Sequence, residues 1–508
     1  MDSKNVLTLI AFACYLLLMI GVGVYQMKKT KTTEDYFLGG RGLGGWVAAL
    51  SAQASDMSGW LLMGLPGAIY MFGTGQVWIA IGLFIGTVLN WVFIAKPLRR
   101  YTIVAGNSMT LPEFFSNRFH DKKKILMTIS SIVITVFFLV YTASALASGG
   151  KLFNQVFGLD YHVAMLIGAV VILAYTFMGG FLAVCNTDFV QGALMFIGLL
   201  TVPILAYIAI GGDVSGSLAA NGMVDPNYLN IAYSAGEPYP ITSILSDLAW
   251  GLGYCGMPHI LVRFMAIKSE REIRKSTVIA TVWVAISLGA ACIIGIIGRA
   301  YVIPALTENN KEYENVFIRM IQGVFSDNGL LVFIGGIFLC GILAAIMSTA
   351  DSQLLVSASA VSKDIFKGII KKDAPDKKVL LISRITVLVV AAIAILIAWD
   401  PNSSIMKLVS DAWAGLGAAF GPLVVLSIFW KRTTLSGAIA GIITGGAFVV
   451  LWDYIPFGGQ TMYEMTGLYS LLIGFFLGLA MIVIVSLLSK APSKEILDEF
   501  EQMKNYTE

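Results

Sequence analysis

Runs of about 20 apolar residues recur along the chain, each long enough for an α-helix to cross a hydrocarbon core roughly 30 Å thick. Short polar stretches separate them. Thirteen spans are predicted, over about residues 6–26, 46–70, 76–96, 126–149, 161–181, 189–210, 241–265, 277–303, 329–358, 379–399, 405–430, 436–454 and 465–488. The longest gaps, near 97–125, 211–240 and 304–328, predict loops or short surface helices and leave no room for a soluble domain. The first run begins at Val6, is longer than a signal-peptide core, and lacks a basic start or a small-x-small cleavage site. It is expected to remain as a helix.

Two spans interrupt their own pattern. Residues 51–67, SAQASDMSGWLLMGLPG, put Asp56, three serines and a proline inside an apolar run. Residues 250–258, WGLGYCGMP, are again dense in glycine and again end at a proline. An unpaired carbonyl in hydrocarbon costs several kcal/mol, so broken helix survives there only where it lines a cavity or meets an ion. The competing reading is that glycine and proline are common in membrane helices and merely kink them. The two interrupted spans are five apart, and an odd separation gives them opposite directions. Two five-span units, 46–210 and 241–430, each opening on a broken helix, are therefore expected, as in inverted-repeat transporters with a midplane site. The span at 6–26 precedes them, two spans at 436–488 follow, and 489–508 forms a tail, all within one membrane domain, 1–508.

Composition agrees: 57% of the 508 residues are hydrophobic and only 13% charged, too apolar for a soluble protein. The position of the charges sets the direction of threading. With the first span running outside to inside, 28 of the 34 lysines and arginines fall on the inner side, including 28–31, 96–100, 121–124, Arg263 and 363–378. Only Lys4, Lys151, Arg299, Lys311, Arg319 and Lys407 fall outside. The N-terminus is thus expected outside and the C-terminus in the cytoplasm. A net charge of +3 points to no nucleic-acid partner, and no obligatory protein partner is evident. The five cysteines form no CxxC pair and the three histidines are scattered, so neither a disulfide framework nor a metal cluster is expected. No HExxH, P-loop or dinucleotide fingerprint is present, which argues against an enzyme.

The chemistry concentrates at the interruptions. An aspartate near mid-span costs about 3 kcal/mol on insertion scales unless paired or hydrated, so Asp56 marks a cavity or a cation path. Ser55 and Ser58 flank it with hydroxyl oxygens, donors that suit a hard cation. Sodium, a proton and a structural aspartate–hydroxyl pair all remain open on this ground. A second notch, GILAAIMSTADSQLL at 341–355, carries Ser348, Thr349, Asp351 and Ser352. Its hydroxyls either bond back to their own helix or complete a cation shell with carbonyls freed in the first broken span. Trp250, Tyr254 and Pro258, spaced i, i+4, i+8, share a face wherever that segment is helical. They form either a structural stripe or the wall of a pocket for a small ring.

The stretches 39–68, 174–192, 250–266 and 343–360 resemble signature regions of the sodium:solute symporter family, and of its proline-transporting branch in particular. The resemblance runs along nearly the whole chain. It implies an all-α polytopic membrane protein with a LeuT-type five-helix inverted repeat, its 13 transmembrane helices in a 1+10+2 arrangement. It implies sodium as coupling ion with no other cofactor, L-proline as substrate, and the lipid of a bacterial inner (plasma) membrane as surroundings. Carried over residue by residue, the sodium ligands are the carbonyls of Ala54, Met57 and Ala345 and the hydroxyls of Ser348 and Thr349. Asp56 and Ser58 match sodium-coupling positions. Asp188 matches an acidic position on a sodium exit route, although beside Asn186 and Thr187 it equally suits the cap of the next helix. Tyr141, Trp250, Tyr254 and Pro258 match substrate-pocket positions. The sequence departs from the branch in two places: Met257 stands in place of glutamine, where it bears on substrate contacts. Ala350–Asp351 replaces Leu-Ser and adds a carboxylate near the cation notch. The alternatives are a symporter of another small amino or imino acid, a cation channel, or a transporter-like sensor. The last would need an output domain, for which the roughly 18 residues after the last span leave no room.

Overall fold

The computed structural model describes residues 3–27, 33–177, 180–223 and 225–508. The basic run at 28–31 and Met178 and Gly179 of the 174–192 stretch lie outside the described residues. Helices dominate the described chain, and its one β-sheet among the described residues is a small hairpin, Tyr233–Ser234 against Glu237–Pro238. Ten of its helices are long and apolar enough to cross a membrane, which makes this an all-α polytopic membrane protein. Helix Ile405–Phe429 lies deepest in the bundle, whereas Ser3–Met27, Asp376–Ile397 and Ser470–Leu488 run along its outside. Leu17, Leu388, Leu396 and Leu487 on those outer helices are exposed, an apolar surface that only lipid satisfies.

Both predicted interruptions are present. The first broken helix runs Gly45–Asp56, then a π turn Trp60–Gly64, then Leu65–Phe72. The second runs Ile241–Ala249, a 3₁₀ turn Trp250–Gly256, and Pro258–Ala266. Their flanks meet where Leu43 N–H donates to the Ala266 carbonyl (3.1 Å) and Lys268 N–H donates to that of Leu43 (2.9 Å).

Other boundaries differ from expectation for physical reasons. The helix expected to begin near 189 begins at Phe181, because its early polar residues feed their hydrogen bonds back into it. Asn186 Nδ2 donates to the Leu182 carbonyl (2.7 Å) and Thr187 Oγ1 to that of Ala183 (2.9 Å). The helix expected to stop near 358 reaches Ser359 and continues as a π-helix, Ala360–Ile370. Contacts to the 110–113 region hold this extension: Thr110 Oγ1 donates to Asp364 (2.8 Å) and Lys363 Nζ to Glu113 (2.7 Å).

The 3₁₀ turn is gripped on two sides by glycine contacts. A Cβ on Gly86, in helix Val77–Leu89, would lie 2.2 Å from the Gly251 carbonyl oxygen, and one on Gly251 would lie 2.3 Å from that of Gly82. On the other side a Cβ on Gly417 would come within 2.8 Å of Gly253 Cα. Side chains of any size would push these backbones apart, so glycine here sets how closely the helices approach.

Candidate functional site

At the first break, Asp56 ends the helix and Met57 leaves helical geometry (φ −83°, ψ 78°). In a continuous α-helix Ser58 N–H would donate to Ala54 and Leu61 N–H to Met57. Here Ser58 N–H turns to the Asp56 carbonyl (3.0 Å) and Leu61 N–H to that of Ser58 (3.1 Å). The carbonyls of Ala54 and Met57 thereby lose their helical donors. Ser348 Oγ donates to the Ala54 oxygen (2.8 Å) and also lies 3.2 Å from that of Ala345, and Thr349 Oγ1 approaches the Ala54 oxygen at 3.4 Å. Four of the five expected cation ligands thus converge at one buried point, and buried Met57 sits at the edge of the same break. The donors are neutral carbonyl and hydroxyl oxygens, chemistry suited to a hard cation. No cluster of three or more His, Cys, Asp or Glu suited to a metal occurs among the described residues.

Asp56 joins this point to the second break. Its Oδ2 accepts a hydrogen bond from the Tyr254 hydroxyl (2.6 Å), and its main-chain oxygen accepts from Trp60 Nε1 (2.9 Å) and from the Tyr141 hydroxyl (3.4 Å). Ser58 Oγ lies 3.5 Å from Trp60 N–H. Asp56, expected to couple sodium, therefore touches two expected substrate residues, Tyr254 through its carboxylate and Tyr141 through its main-chain oxygen.

Trp250, Tyr254 and Pro258 do not share one face, contrary to their spacing. A 3₁₀ turn has three residues per turn, and Met257, buried and extended (φ −87°, ψ 104°), separates Pro258 from it. Trp250 stacks on Tyr469 (5.4 Å between ring centres) and lines a cavity of about 340 Å³ with Ala68, Phe72, Asp247 and Ser410. This cavity lies toward the end of the bundle that carries the 211–240 loop. Tyr254 points inward to Asp56. Pro258 heads the next helix, beside Phe181, Arg263 and Asp364, around a space of only about 20 Å³ toward the opposite end. That volume holds little more than one water. Trp250 lines the larger cavity and Pro258 the smaller, whereas Asp56, Tyr141 and Tyr254 line neither.

Asp188 is no cap. It is the eighth residue of helix Phe181–Ala209, wholly buried, and accepts hydrogen bonds from Ser51 Oγ (2.7 Å) and Arg263 Nη2 (3.0 Å). Arg263, counted among the inner-side cations, is likewise buried within a helix, Pro258–Ala266. Only 1% exposed, it also donates to Ser51 Oγ (3.1 Å), the His259 carbonyl (2.6 Å) and Ser352 Oγ (2.6 Å). Asp351, next to Ser352, is fully buried, and neither of its oxygens has a hydrogen-bond partner among the described residues. Sequence reasoning missed Arg263, although an arginine bordering an apolar run was a signal for it. It also missed Asn90, a lone amide in such a run, and Trp413, for which there was no signal, since aromatic residues are ordinary in membrane spans.

The chain matches the sodium:solute symporter family over residues 36–445. It is 44% identical over 487 residues to the high-affinity proline transporter PutP of Bacillus subtilis (strain 168), covering 96% of this chain and 99% of that one. It is 41% identical over 507 residues to the sodium/proline symporter of Staphylococcus aureus (strain NCTC 8325 / PS 47), covering 99% and 97%. Its fold is like that of a Na+-coupled sialic acid symporter solved in a substrate-bound outward-open state, with a TM-score of 0.78 at 20% identity, over 96% of this chain and 99% of that one. With a family match across most of its length and relatives above 40% identity over nearly all of it, the chain belongs to the sodium:solute symporter family.

Proposed function

We propose that this protein is a secondary transporter that carries L-proline and sodium inward together across the bacterial inner membrane by alternating access. One observation carries the reading beyond family membership: Asp56 sits between the oxygen cluster at Ala54, Ser348 and Thr349 and the aromatic residues Tyr141 and Tyr254. Filling either side changes the energy of the shared broken helix, which is what coupling two ligands requires. In this reading Ala54, Met57, Ala345, Ser348 and Thr349 ligate sodium, with Asp56 and Ser58 coupling it to substrate. Asp188 serves its exit, and Tyr141, Trp250, Tyr254 and Pro258 hold the imino acid. The thirteen helical passages then divide 1+10+2, with 46–210 and 241–430 as inverted repeats.

Proline is a net-neutral zwitterion at neutral pH, so one sodium leaves one elementary charge to cross the field. A potential of about 100 mV and a tenfold sodium gradient together supply about 3.7 kcal/mol, enough for an accumulation of order 500-fold at one-to-one coupling. In sealed proteoliposomes an inward sodium gradient is expected to drive proline uphill at zero potential, and more strongly with the inside negative. Uptake that halts at equal concentrations whatever sodium does would establish a pore instead. A greater response to another labelled amino acid would move the substrate assignment.

The charge pattern also sets direction: N-terminus outside, C-terminus in the cytoplasm. A cysteine placed at Asp225 in a cysteine-free background should react with an impermeant thiol reagent on intact cells, while one at Lys372 should not. The reverse pattern would invert the topology.

A further inference from the structure

Two side chains outside the expected site hold the main chain of the second break from separate helices. Trp413, in helix Ile405–Phe429, donates its indole N–H to the Trp250 carbonyl (2.8 Å). Asn90, opening the π turn Asn90–Ile94, donates its amide N–H to the Tyr254 carbonyl (3.1 Å). Each is about 1% exposed. The Trp413 ring meets Tyr254 edge-on (5.0 Å, 86°) and lies nearly parallel to Trp250 (6.4 Å, 29°), so it contacts both aromatic residues at once. A Cβ on Gly253 would fall 2.0 Å from Trp413 Nε1, so the indole fills the space that a side chain at residue 253 would need.

Their chemistry explains why this turn stays 3₁₀. Wound as an α-helix, residues four apart point about 40° apart around the axis, whereas in a 3₁₀ turn they point about 120° apart. The turn therefore keeps Trp250 facing the cavity and Tyr254 facing Asp56. In an α-helix the Trp250 carbonyl would take the Tyr254 N–H, so the Trp413 donor opposes that rewinding. The Tyr254 carbonyl would have only Pro258, which has no N–H, as its helical donor, and Asn90 supplies the missing bond and fixes that end of the turn. Packing alone would be served more cheaply by an apolar residue than by Asn90, whose other amide atom, Oδ1, has no partner among the described residues.

We propose that Trp413 and Asn90 are positioning residues that fix the spacing of the Trp250 and Tyr254 rings and so select the size of imino-acid ring the transporter accepts. The proposal rests on the assignment of those two rings to the substrate pocket. Its test uses the full-length protein in proteoliposomes, with Trp413→Phe, which keeps a ring but deletes the N–H, and Asn90→Ala. Initial rates are measured for proline and for its six-membered ring homologue across a range of sodium concentrations. Each variant is expected to raise the proline KM about tenfold, the equivalent of about 1.4 kcal/mol and the size of one net hydrogen bond. The preference for proline over the homologue should fall by a similar factor, while maximal rate and sodium half-saturation stay within about twofold of the parent. Parental KM and ring-size preference in both variants would overturn the proposal, as would equal losses toward sodium and proline. If one variant fails to fold, the other decides; if both fail, the residues are structural and the proposal falls. A parent that shows no sodium-driven proline uptake would sink the transport assignment itself, a result distinguishable from all of these.

Discussion

Ser348→Ala and Thr349→Ala should each raise the sodium concentration for half-maximal proline uptake by about ten- to hundredfold, the equivalent of the 1.5–3 kcal/mol typical of a polar contact to a charged group. Both hydroxyls reach the Ala54 carbonyl that the break at Asp56 sets free. In the proposed ion-bound state each supplies one of five oxygens, and no carboxylate in the set can make up for its loss. The double variant should lose less than the two single effects combined, because the hydroxyls share one partner. Sodium titration of uptake, beside a measure of the amount inserted, decides the matter. If both variants keep the parental sodium response, the Ser348–Ala54 contact is packing within the bundle.

Gly86→Ala should remove most folded protein and reduce uptake below about a tenth of the parent's, beyond the 1–3 kcal/mol usual for one extra methyl in a packed core. The added Cβ would meet Gly251 carbonyl oxygen at 2.2 Å and Gly251 Cα at 2.4 Å. These are backbone atoms, so no rotamer change relieves the clash, and helix Val77–Leu89 must back away from the 3₁₀ turn. Gly289→Ala is the control. Nothing lies within 4 Å of a Cβ there, and alanine is the better helix former by about 1 kcal/mol. Thermal unfolding in detergent should separate the two variants clearly. Equal stability would mean that the turn and its neighbouring helix do not need their observed separation.

The interruptions were legible because each gathers glycines and ends at a proline within one apolar run, whereas serine and aspartate alone, as at 348–352, leave the helix unbroken. How each break is wound was not legible. Glycine density at 250–256 marks a departure from α-helix but does not choose 3₁₀, and on that choice the shared face of Trp250 and Tyr254 depended. The start of helix Phe181–Ala209 was hidden for a different reason. Asn186, Thr187 and Asp188 resemble cap residues in sequence, yet two of them bond back within the helix and the third pairs across the bundle. Arg263 was counted by its position along the chain, where it sits beside other inner-side cations, and position along the chain carries no information about burial. Asn90 and Trp413 act on carbonyls more than 160 residues distant, beyond the reach of local pattern.

The Arg263 guanidinium has one further consequence, for the kinetics of any separation of the elements it joins. Ser51, Asp188, Ser352 and the His259 carbonyl all bond to a single planar group. Its five N–H groups are fixed in one plane, so a helix that draws away cannot keep its bond by stretching alone. Release is therefore cooperative: once the guanidinium shifts to follow one partner, its alignment with the others deteriorates too, and the cluster opens across a threshold. Mutational energies at Ser51, Asp188 and Ser352 should accordingly fail to sum, since the first replacement already takes away part of what the remaining two contribute.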